Sequence, residues 1–257
     1  PGRSAIDERD RDERDRAESR ARQRVSATGG TMAKIDVEKK IQSENDRIAG
    51  RNRRAFTDAG VFVVNIISSP GSGKTTLLET TLDRLAKEVP IAVIEGDVST
   101  ERDMDRVRAR GASGIQINTG GGCHLSAAMV EGVLGDVDLA SAKIVFIENV
   151  GNLICPSTYD LGEDVRMVLL STTEGDDKRM KYLVIFHEAT LAVINKIDLL
   201  PHLSYDMEKV EKEINVLNPG CEILRVSALT GEGMDAWVDW VVGRMSEKQR
   251  VLSGEAQ

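Results

Sequence analysis

The sequence predicts an α/β protein with a doubly wound, mostly parallel sheet and helices on both of its faces. Two observations predict this fold class. Short, almost continuous apolar runs alternate along the chain with segments of helical periodicity, which is typical of parallel strands joined by crossover helices. Several of these runs lead directly into glycine-rich or polar stretches, as expected where ligands bind beyond the carboxyl ends of parallel strands.

The elements are predicted in chain order. Residues 1–31 are rich in Asp, Glu and Arg, and we expect a disordered charged extension, with Met32 as an alternative native start. Residues 32–57 have apolar residues near seven-residue spacing and predict an N-terminal helix. The main domain is expected to span 58–248, with a C-terminal tail at 249–257. Predicted strands cover 61–67, 91–95, 115–117, 144–148, 165–170, 191–195 and 223–226, and predicted helices cover 77–82, 98–110, 125–134, 205–217 and 233–245.

Composition excludes several classes of protein. The chain has 257 residues and a formal net charge of −8, which argues against general nucleic-acid binding. No apolar run approaches the ~20 residues that span a bilayer, and no secretory signal opens the sequence. We therefore expect a cytoplasmic protein without nucleic-acid or membrane partners. Three cysteines do not suggest a disulfide framework, and metal binding, catalysis or core packing remain as their roles.

A phosphate-binding loop is predicted at residues 68–76, SSPGSGKTT, because a buried-strand pattern precedes it and a helical pattern follows it. Lys74 is expected to reach the β- and γ-phosphates, and the Thr75 hydroxyl to ligate Mg²⁺. Ser68 stands where the usual pattern has its first glycine. Backbone N–H groups of the loop would close around the phosphate oxygens. The expected nucleotide contacts here are Gly71, Ser72, Gly73, Lys74, Thr75 and Thr76.

Guanine is the predicted base. Asn195-Lys196-Ile197-Asp198 follows a strand, and the Asp198 carboxylate can accept hydrogen bonds from both N1–H and the exocyclic amine of guanine, a pair of donors that adenine lacks. Asn195 would brace the loop, and Lys196 would pack its stem over the base. Ser227 and Ala228 would supply backbone N–H to the guanine oxygen. The sequence therefore predicts GTP and GDP as ligands.

Three further residues are candidates for the hydrolytic site. Asp97 ends the second predicted strand and is expected to hold Mg²⁺ directly or through water, with a helix-cap role as the alternative. Glu148 stands where nucleotide switches usually carry Asp. Its role could be either to lie near Mg²⁺ or to position the attacking water. The Gly151 N–H is expected to bond the γ-phosphate and to be released on hydrolysis.

A second metal site is predicted from Cys123, His124 and Cys155. Their segments both follow strands and should lie at the same edge of the sheet, and thiolate and imidazole suit Ni²⁺ or Zn²⁺. A buried inert cysteine is the alternative for each, and Cys221 is expected to be structural. Three ligands leave a tetrahedral site incomplete, so a second chain or water must supply the rest, and we expect a nucleotide- or metal-dependent homodimer. Because Cys155 lies four residues after Gly151, nucleotide state and metal affinity should be coupled.

The chain resembles the HypB family of hydrogenase nickel-incorporation GTPases, a group of SIMIBI-class P-loop metal-handling proteins. The resemblance rests on the stretches SSPGSGKTTLLE, IEGDV, NTGGGCHL, IENVGNLICP, STTEGDDK and NKIDLLP. It implies the SIMIBI-type P-loop fold and metal binding by Cys123, His124 and Cys155 at a dimer interface. It also implies GTP hydrolysis that gates Ni²⁺ delivery to the hydrogenase large-subunit precursor, with a HypA-type metallochaperone as partner.

Other functions remain open at this point. One is a urease-type nickel accessory GTPase, although that family typically carries Cys-Pro-His where this chain has Cys123-His124. Another is a nickel or zinc store in which GTP only controls dimerisation, and a third is a small-molecule P-loop kinase. Residues 1–60 contain no Cys and no His, so no storage site is expected there. Because no water-positioning Gln or cis arginine finger is evident, we expect slow GTP turnover.

Overall fold

A computed structural model describes residues 39–96, 101–174 and 183–255. The chain forms two compact units, residues 1–44 and residues 45–257. In the first unit the described residues, 39–44, are helical. The second unit opens with helical residues 45–58, called α1 here. The expectations for the charged extension at 1–31 and for Asp97 lie outside the described residues.

The second unit is built on one seven-stranded sheet with the order β3-β2-β4-β1-β5-β6-β7. All of its strand pairs are parallel. The predicted fold class is therefore confirmed, and every predicted strand is present to within three residues at its ends. The strands are β1 (Phe62–Ser68), β2 (Ile91–Gly96), β3 (Ser113–Ile117), β4 (Ile144–Gly151), β5 (Val165–Ser171), β6 (Leu191–Asn195) and β7 (Glu222–Arg225).

The helices that follow α1 are α2 (Lys74–Leu85), α3 (Glu101–Ala109), α4 (Ala127–Val133), α5 (Leu183–Phe186), α6 (Met207–Leu217) and α7 (Met234–Ser253). The short helix α5 was not predicted. α7 runs to Ser253 instead of 245 and so includes 249–253 of the expected tail. It ends only at Gly254, whose φ of 76° and N–H bonds to the carbonyls of Arg250 and Val251 terminate the helix.

Apolar side chains cover both faces of the sheet. Val64 and Ile66 of β1 belong to a core cluster shared with α2 and α7, in which Trp237 is fully buried. Val63, on the opposite face of the same strand, belongs to a cluster shared with Phe56 of α1. A third cluster joins β5 and β6 to α5 and α6. Burial on both faces explains why the strands have continuous apolar sequences.

Helix α1 packs on the main domain through two buried asparagines. Asn52 Nδ2 donates to the carbonyl oxygens of Ala127 (2.9 Å) and Leu161 (3.1 Å). Asn45 Nδ2 donates to Asp160 O at 2.8 Å, and Asn45 Oδ1 accepts from Ala127 N at 2.9 Å. Each asparagine thus joins the start of α4 to the loop before β5. Within the described ranges, no helix has the length and apolar character needed to cross a bilayer.

Candidate functional site

The phosphate loop lies between β1 and α2, as the sequence predicts. Gly71 and Gly73 have φ values of 78° and 91°, a left-handed conformation that glycine adopts without strain. A Cβ on Gly73 would lie 2.6 Å from Asn195 Nδ2, so no side chain fits there. Lys74 and Thr75 occupy the first turn of α2, where unpaired backbone N–H groups favour an anion.

Asn195 and Lys196 connect the end of β6 to the phosphate loop. Asn195 Nδ2 donates to Ser72 O at 2.9 Å, and Lys196 Nζ donates to Gly71 O at 2.6 Å. Lys196 has a φ of 64°, an uncommon conformation for a residue with a side chain. The bracing role predicted for Asn195 is consistent with this contact, and the two loops form one continuous surface.

The expected base-binding residues meet next to these loops. Ser227 Oγ donates to Asp198 Oδ1 at 2.6 Å, which fixes the carboxylate. The backbone groups differ from the prediction. The Ala228 N–H donates to Asn195 Oδ1 at the end of β6 (3.0 Å), and the Ser227 N–H donates to Glu232 O within the turn after β7 (2.8 Å). Both N–H groups thus have hydrogen-bond partners within the protein.

Carboxylates and a hydroxyl gather where β2 and β4 end. The Thr75 hydroxyl donates to Glu148 Oε1 at 3.2 Å. Glu148 is buried and stands in register with Glu95 of β2, also buried, which the sequence analysis had not singled out. These oxygens are the ligand class that Mg²⁺ prefers, so the described residues fit a magnesium ion. Asp97, the other expected Mg²⁺ ligand, lies outside the described residues.

Gly151 lies directly against the phosphate loop. It is in register with Ser68 of β1, and a Cβ on it would lie 3.4 Å from Pro70 Cγ and 3.6 Å from Lys74 Nζ. The backbone at Gly151 is thus beside the lysine expected to contact the γ-phosphate. This placement agrees with a backbone donor for that phosphate.

Glu174 is a residue near the nucleotide site that sequence reasoning missed. Its carboxylate accepts from Ser72 Oγ (2.5 Å) and Ser69 Oγ (3.1 Å). The available signal was its position just after β5, at the edge of the sheet where ligands bind. Glu174 therefore holds the side chains of the phosphate loop from the β5 side.

Cys123, His124 and Cys155 come together as predicted. Their potential ligand atoms all lie within 4.8 Å of one another, and Cys123 Sγ is 3.5 Å from His124 Nδ1. Cys123 is exposed, whereas His124 and Cys155 are half-buried. Two sulfurs and one imidazole form a donor set that suits Zn²⁺ or Ni²⁺.

The surroundings of the cluster tune its chemistry. The His124 ring stacks on Tyr159, with 3.9 Å between ring centroids, and burial lowers the pKa of His124, which favours the neutral imidazole that binds metals. A hydrogen bond to Cys155 raises the pKa of the Cys123 thiol, so a bound metal must displace thiol protons. Cys221 is buried elsewhere, in the cluster shared by β5 and β6, and burial raises its pKa to about 11.

Comparison with known proteins places these features in context. A model of the CobW/HypB/UreG nucleotide-binding domain matches residues 62–225. Hydrogenase maturation factor HypB of Azotobacter vinelandii is 47% identical over 228 residues, covering 88% of this chain and 74% of that protein.

Two solved structures are similar along most of the chain. HypB from Archaeoglobus fulgidus has a TM-score of 0.74 and 41% identity over 79% of this chain and 99% of that one. HypB from Helicobacter pylori, solved in complex with nickel, has a TM-score of 0.75 and 37% identity over 80% of this chain and 97% of that one.

Proposed function

This chain belongs to the CobW/HypB/UreG family of nucleotide-binding proteins, and we propose that it is a GTPase that delivers nickel during hydrogenase maturation. The observation that carries the proposal is the meeting of Cys123, His124 and Cys155 within 4.8 Å, at the end of the strand that also carries Glu148 and Gly151. One strand thus serves a candidate metal site and a candidate nucleotide site. A relative solved with nickel supports Ni²⁺ as the cargo.

The nucleotide part of the proposal rests on the phosphate loop and the NKID segment. Lys74 and the first-turn N–H groups of α2 bind phosphate oxygens, and Asp198, held by Ser227, recognises guanine. Thr75 and Glu148 lie where they would hold Mg²⁺, which supplies charge neutralisation for the phosphates. No glutamine or arginine that would speed hydrolysis stands among these described residues. Slow turnover follows.

The metal part of the proposal includes a second chain. Cys123, His124 and Cys155 supply three ligands and Cys123 is exposed, so a symmetry-related copy can complete the coordination across a twofold axis. The homodimer would form when GTP or metal is bound and would open on hydrolysis. The recipient is the hydrogenase large-subunit precursor, with a HypA-type metallochaperone as the partner that exchanges nickel.

The test measures Ni²⁺ affinity in the presence of GDP and of a non-hydrolysable GTP analogue. Wild type is compared with Cys155→Ser and with Cys221→Ser, the matched control whose thiol lies outside the cluster. We expect affinity to depend on the nucleotide in wild type and Cys221→Ser, and both the affinity and this dependence to be lost in Cys155→Ser. Light scattering on the same samples reports the dimer.

Three results would count against the proposal. If nickel affinity is the same with GDP and with the GTP analogue, the protein is better explained as a nickel or zinc store in which GTP controls only dimerisation. Unchanged Ni²⁺ affinity in Cys155→Ser would show that Cys155 is not a ligand and would contradict the assigned metal site. A monomer under every combination of GTP and metal would exclude the shared site.

A further inference from the structure

A chain of buried polar side chains runs through the sheet beneath the candidate metal site. Asn149 Nδ2 donates to Asn65 Oδ1 (3.2 Å), and Asn65 Nδ2 donates to Glu163 Oε1 (3.2 Å). Arg166 Nε donates to the same Glu163 oxygen at 3.1 Å. All four residues are at least nine-tenths buried. We call Asn149, Asn65, Glu163 and Arg166 the polar relay.

Both ends of the polar relay hold the segments that carry the metal-ligand residues. At one end, Asn149 Oδ1 accepts from the N–H of Leu125, the residue after His124, at 3.1 Å. At the other end, Arg166 Nη1 donates to the carbonyl of Ser157 at 2.9 Å. Ser157 lies in the short 3₁₀ helix that begins at Cys155. The relay therefore fixes the spacing between the His124 segment and the Cys155 segment.

The same relay is attached to the nucleotide site. Asn149 stands on β4 directly after Glu148, which accepts from the Thr75 hydroxyl, and two residues before Gly151, which lies beside Lys74. Asn149 Oδ1 also accepts from its own strand at Val150 N, 2.9 Å away. A movement of β4 at Gly151 must therefore shift the side chain that holds Leu125.

Buried polar groups of this kind are costly to leave unpaired, so their mutual contacts are maintained. Burial raises the pKa of Glu163, and the adjacent Arg166 opposes that shift. Arg166 also pairs with Glu188 at the surface. The relay is thus a connected set of hydrogen bonds with little freedom to rearrange one member at a time.

Resting on the proposed function, we infer that Asn149, Asn65, Glu163 and Arg166 are positioning residues for the nickel site and carry the effect of bound nucleotide to it. None of them is among the candidate ligands Cys123, His124 and Cys155. They set the distance between the two ligand-bearing segments; residues that hydrogen-bond metal ligands directly contribute 10–100-fold to metal affinity, and because the relay acts one step further out we expect an effect at the lower end of that range.

The test severs the relay, in the full chain, at the end that holds the Cys155 segment. The double variant Glu163→Gln/Arg166→Met removes the donor to Ser157 and both charges together, so no unpaired buried charge remains. The amide that Glu163→Gln introduces has one acceptor oxygen, which can still accept from the Leu161 N–H as the Glu163 carboxylate does at 2.7 Å. Its NH2 group then faces Asn65 Nδ2 in place of Oε1, so the variant also breaks the hydrogen bond between Asn65 and residue 163. The matched control is Asp164→Asn/Lys248→Met, which removes the neighbouring 2.7 Å ion pair between the loop before β5 and helix α7 without touching either ligand segment.

Titration with Ni²⁺ is followed by the thiolate-to-nickel charge-transfer absorption, with GDP and with a GTP analogue. In the relay variant we expect affinity to fall about tenfold, the absorption band to change, and the ratio of affinities between the two nucleotides to approach one. GTP affinity and the control variant should stay within about twofold of wild type, so a general loss of stability does not mimic the result.

Arg166→Lys gives an independent check if the double variant does not fold. It keeps a positive charge beside Glu163 but replaces two separate guanidinium donors by one ammonium, and we expect loss in the same direction. The inference would be overturned if both variants had the Ni²⁺ affinity of wild type and the same ratio of affinities between the two nucleotides. It would also be overturned if the control variant lost as much Ni²⁺ affinity as the relay variant. Neither result would contradict the proposed function. A wild type that does not bind Ni²⁺ would overturn the proposed function and this inference with it.

Discussion

The side-chain amide of Asn195 donates a 2.9 Å hydrogen bond to the backbone carbonyl of Ser72, so the end of β6 and the phosphate loop are joined by one side chain. The oxygen of the same amide accepts from Ala228 N at 3.0 Å. Asn195 is buried. Asn195 therefore aligns three segments: the loop expected to contact the phosphates, the loop expected to contact the base, and the turn after β7.

Asn195→Ala should weaken binding of GTP and GDP equally. It leaves a buried carbonyl and a buried N–H without partners and frees both loops, which costs about 1–3 kcal/mol, or roughly ten- to hundredfold in affinity. Titration with fluorescent GDP and GTP analogues measures the change. Asn218→Ala is the control, since Asn218 also bridges backbone carbonyls (Phe186 and Ala189, 2.9 Å each) but away from the nucleotide site. Comparable affinity loss in the control would contradict the assigned role.

Asp198→Asn should change base preference from guanine towards xanthine. The carboxylate accepts from the N1–H and amine of guanine, whereas an amide can donate to the carbonyl that xanthine has in place of the amine. We expect GDP affinity to fall at least about hundredfold and xanthosine diphosphate to bind better than in wild type. Ser227→Ala removes the 2.6 Å hydrogen bond to Asp198 and the one that Ser227 Oγ accepts from Thr230 N at 3.1 Å, and it should weaken GDP binding modestly without changing preference. Retained guanine preference in Asp198→Asn would exclude Asp198 as the base-reading residue.

The three cysteines should differ in reactivity towards an alkylating reagent at neutral pH. Cys123 is exposed and Cys155 half-buried, whereas Cys221 is buried with a pKa raised to about 11 by burial. Mass spectrometry should show labelling of the first two and not of Cys221, because the thiolate is the reactive form. Saturating Ni²⁺ should protect Cys123 and Cys155 together. Protection of only one of them would show that the other is not a ligand.

The raised pKa of Cys221 also predicts how the stability of the folded state changes with pH. Below pH 9 the thiol is protonated in folded and unfolded chains alike, so Cys221 contributes no pH dependence there. As pH rises from 9.0, the ordinary value, to about 11, the unfolded chain loses the proton first and the folded state loses stability. Denaturant unfolding at several pH values should show a shallower alkaline decline in Cys221→Ala than in wild type.

Gly162→Ala should destabilise the protein through its contact with helix α1. A Cβ there would lie 2.7 Å from both Ala49 O and Arg53 N, and φ is 94°. Two costs to the free energy of unfolding add together: left-handed backbone strain of about 1–2 kcal/mol and overpacking of about 1–3 kcal/mol. Gly60→Ala is the matched control, because its φ is 68° but no atom lies within 4 Å of the added carbon. Equal unfolding free energies for the two variants would show that the helix contact carries no cost.

Local patterns were enough to predict the fold and the nucleotide loops. The strands are contiguous apolar runs, and the glycine-rich and NKID segments carry their chemistry within a few residues. The predicted end of α7 at 245 was wrong: residues 246–253 contain no glycine or proline, so the helix continues to its cap at Gly254. The backbone N–H of Ala228 was assigned to the base, but it bonds to Asn195, 33 residues away.

The polar relay shows what sequence reasoning could not reach. Asn65 is the one polar residue in an apolar run of seven, which signals a specific contact, but its partner Glu163 is 98 residues away. Tyr159 and Glu174 likewise acquire their roles only when the loops at the carboxyl end of the sheet meet. Contacts between residues so far apart along the chain are set by the topology of the sheet, and they cannot be predicted from the local pattern of a single sequence.

The packing of α1 has a consequence for dissecting the protein into fragments. Asn45 and Asn52 hold together the start of α4 and the loop before β5, the two segments adjoining the cysteine–histidine cluster. A fragment that starts at β1 would keep every strand and the phosphate loop while losing these braces and the buried Phe56 side chain that packs under the sheet. We therefore expect such a fragment to be less stable than the full chain and to bind a metal at the cysteine–histidine cluster more weakly, although its phosphate loop is complete.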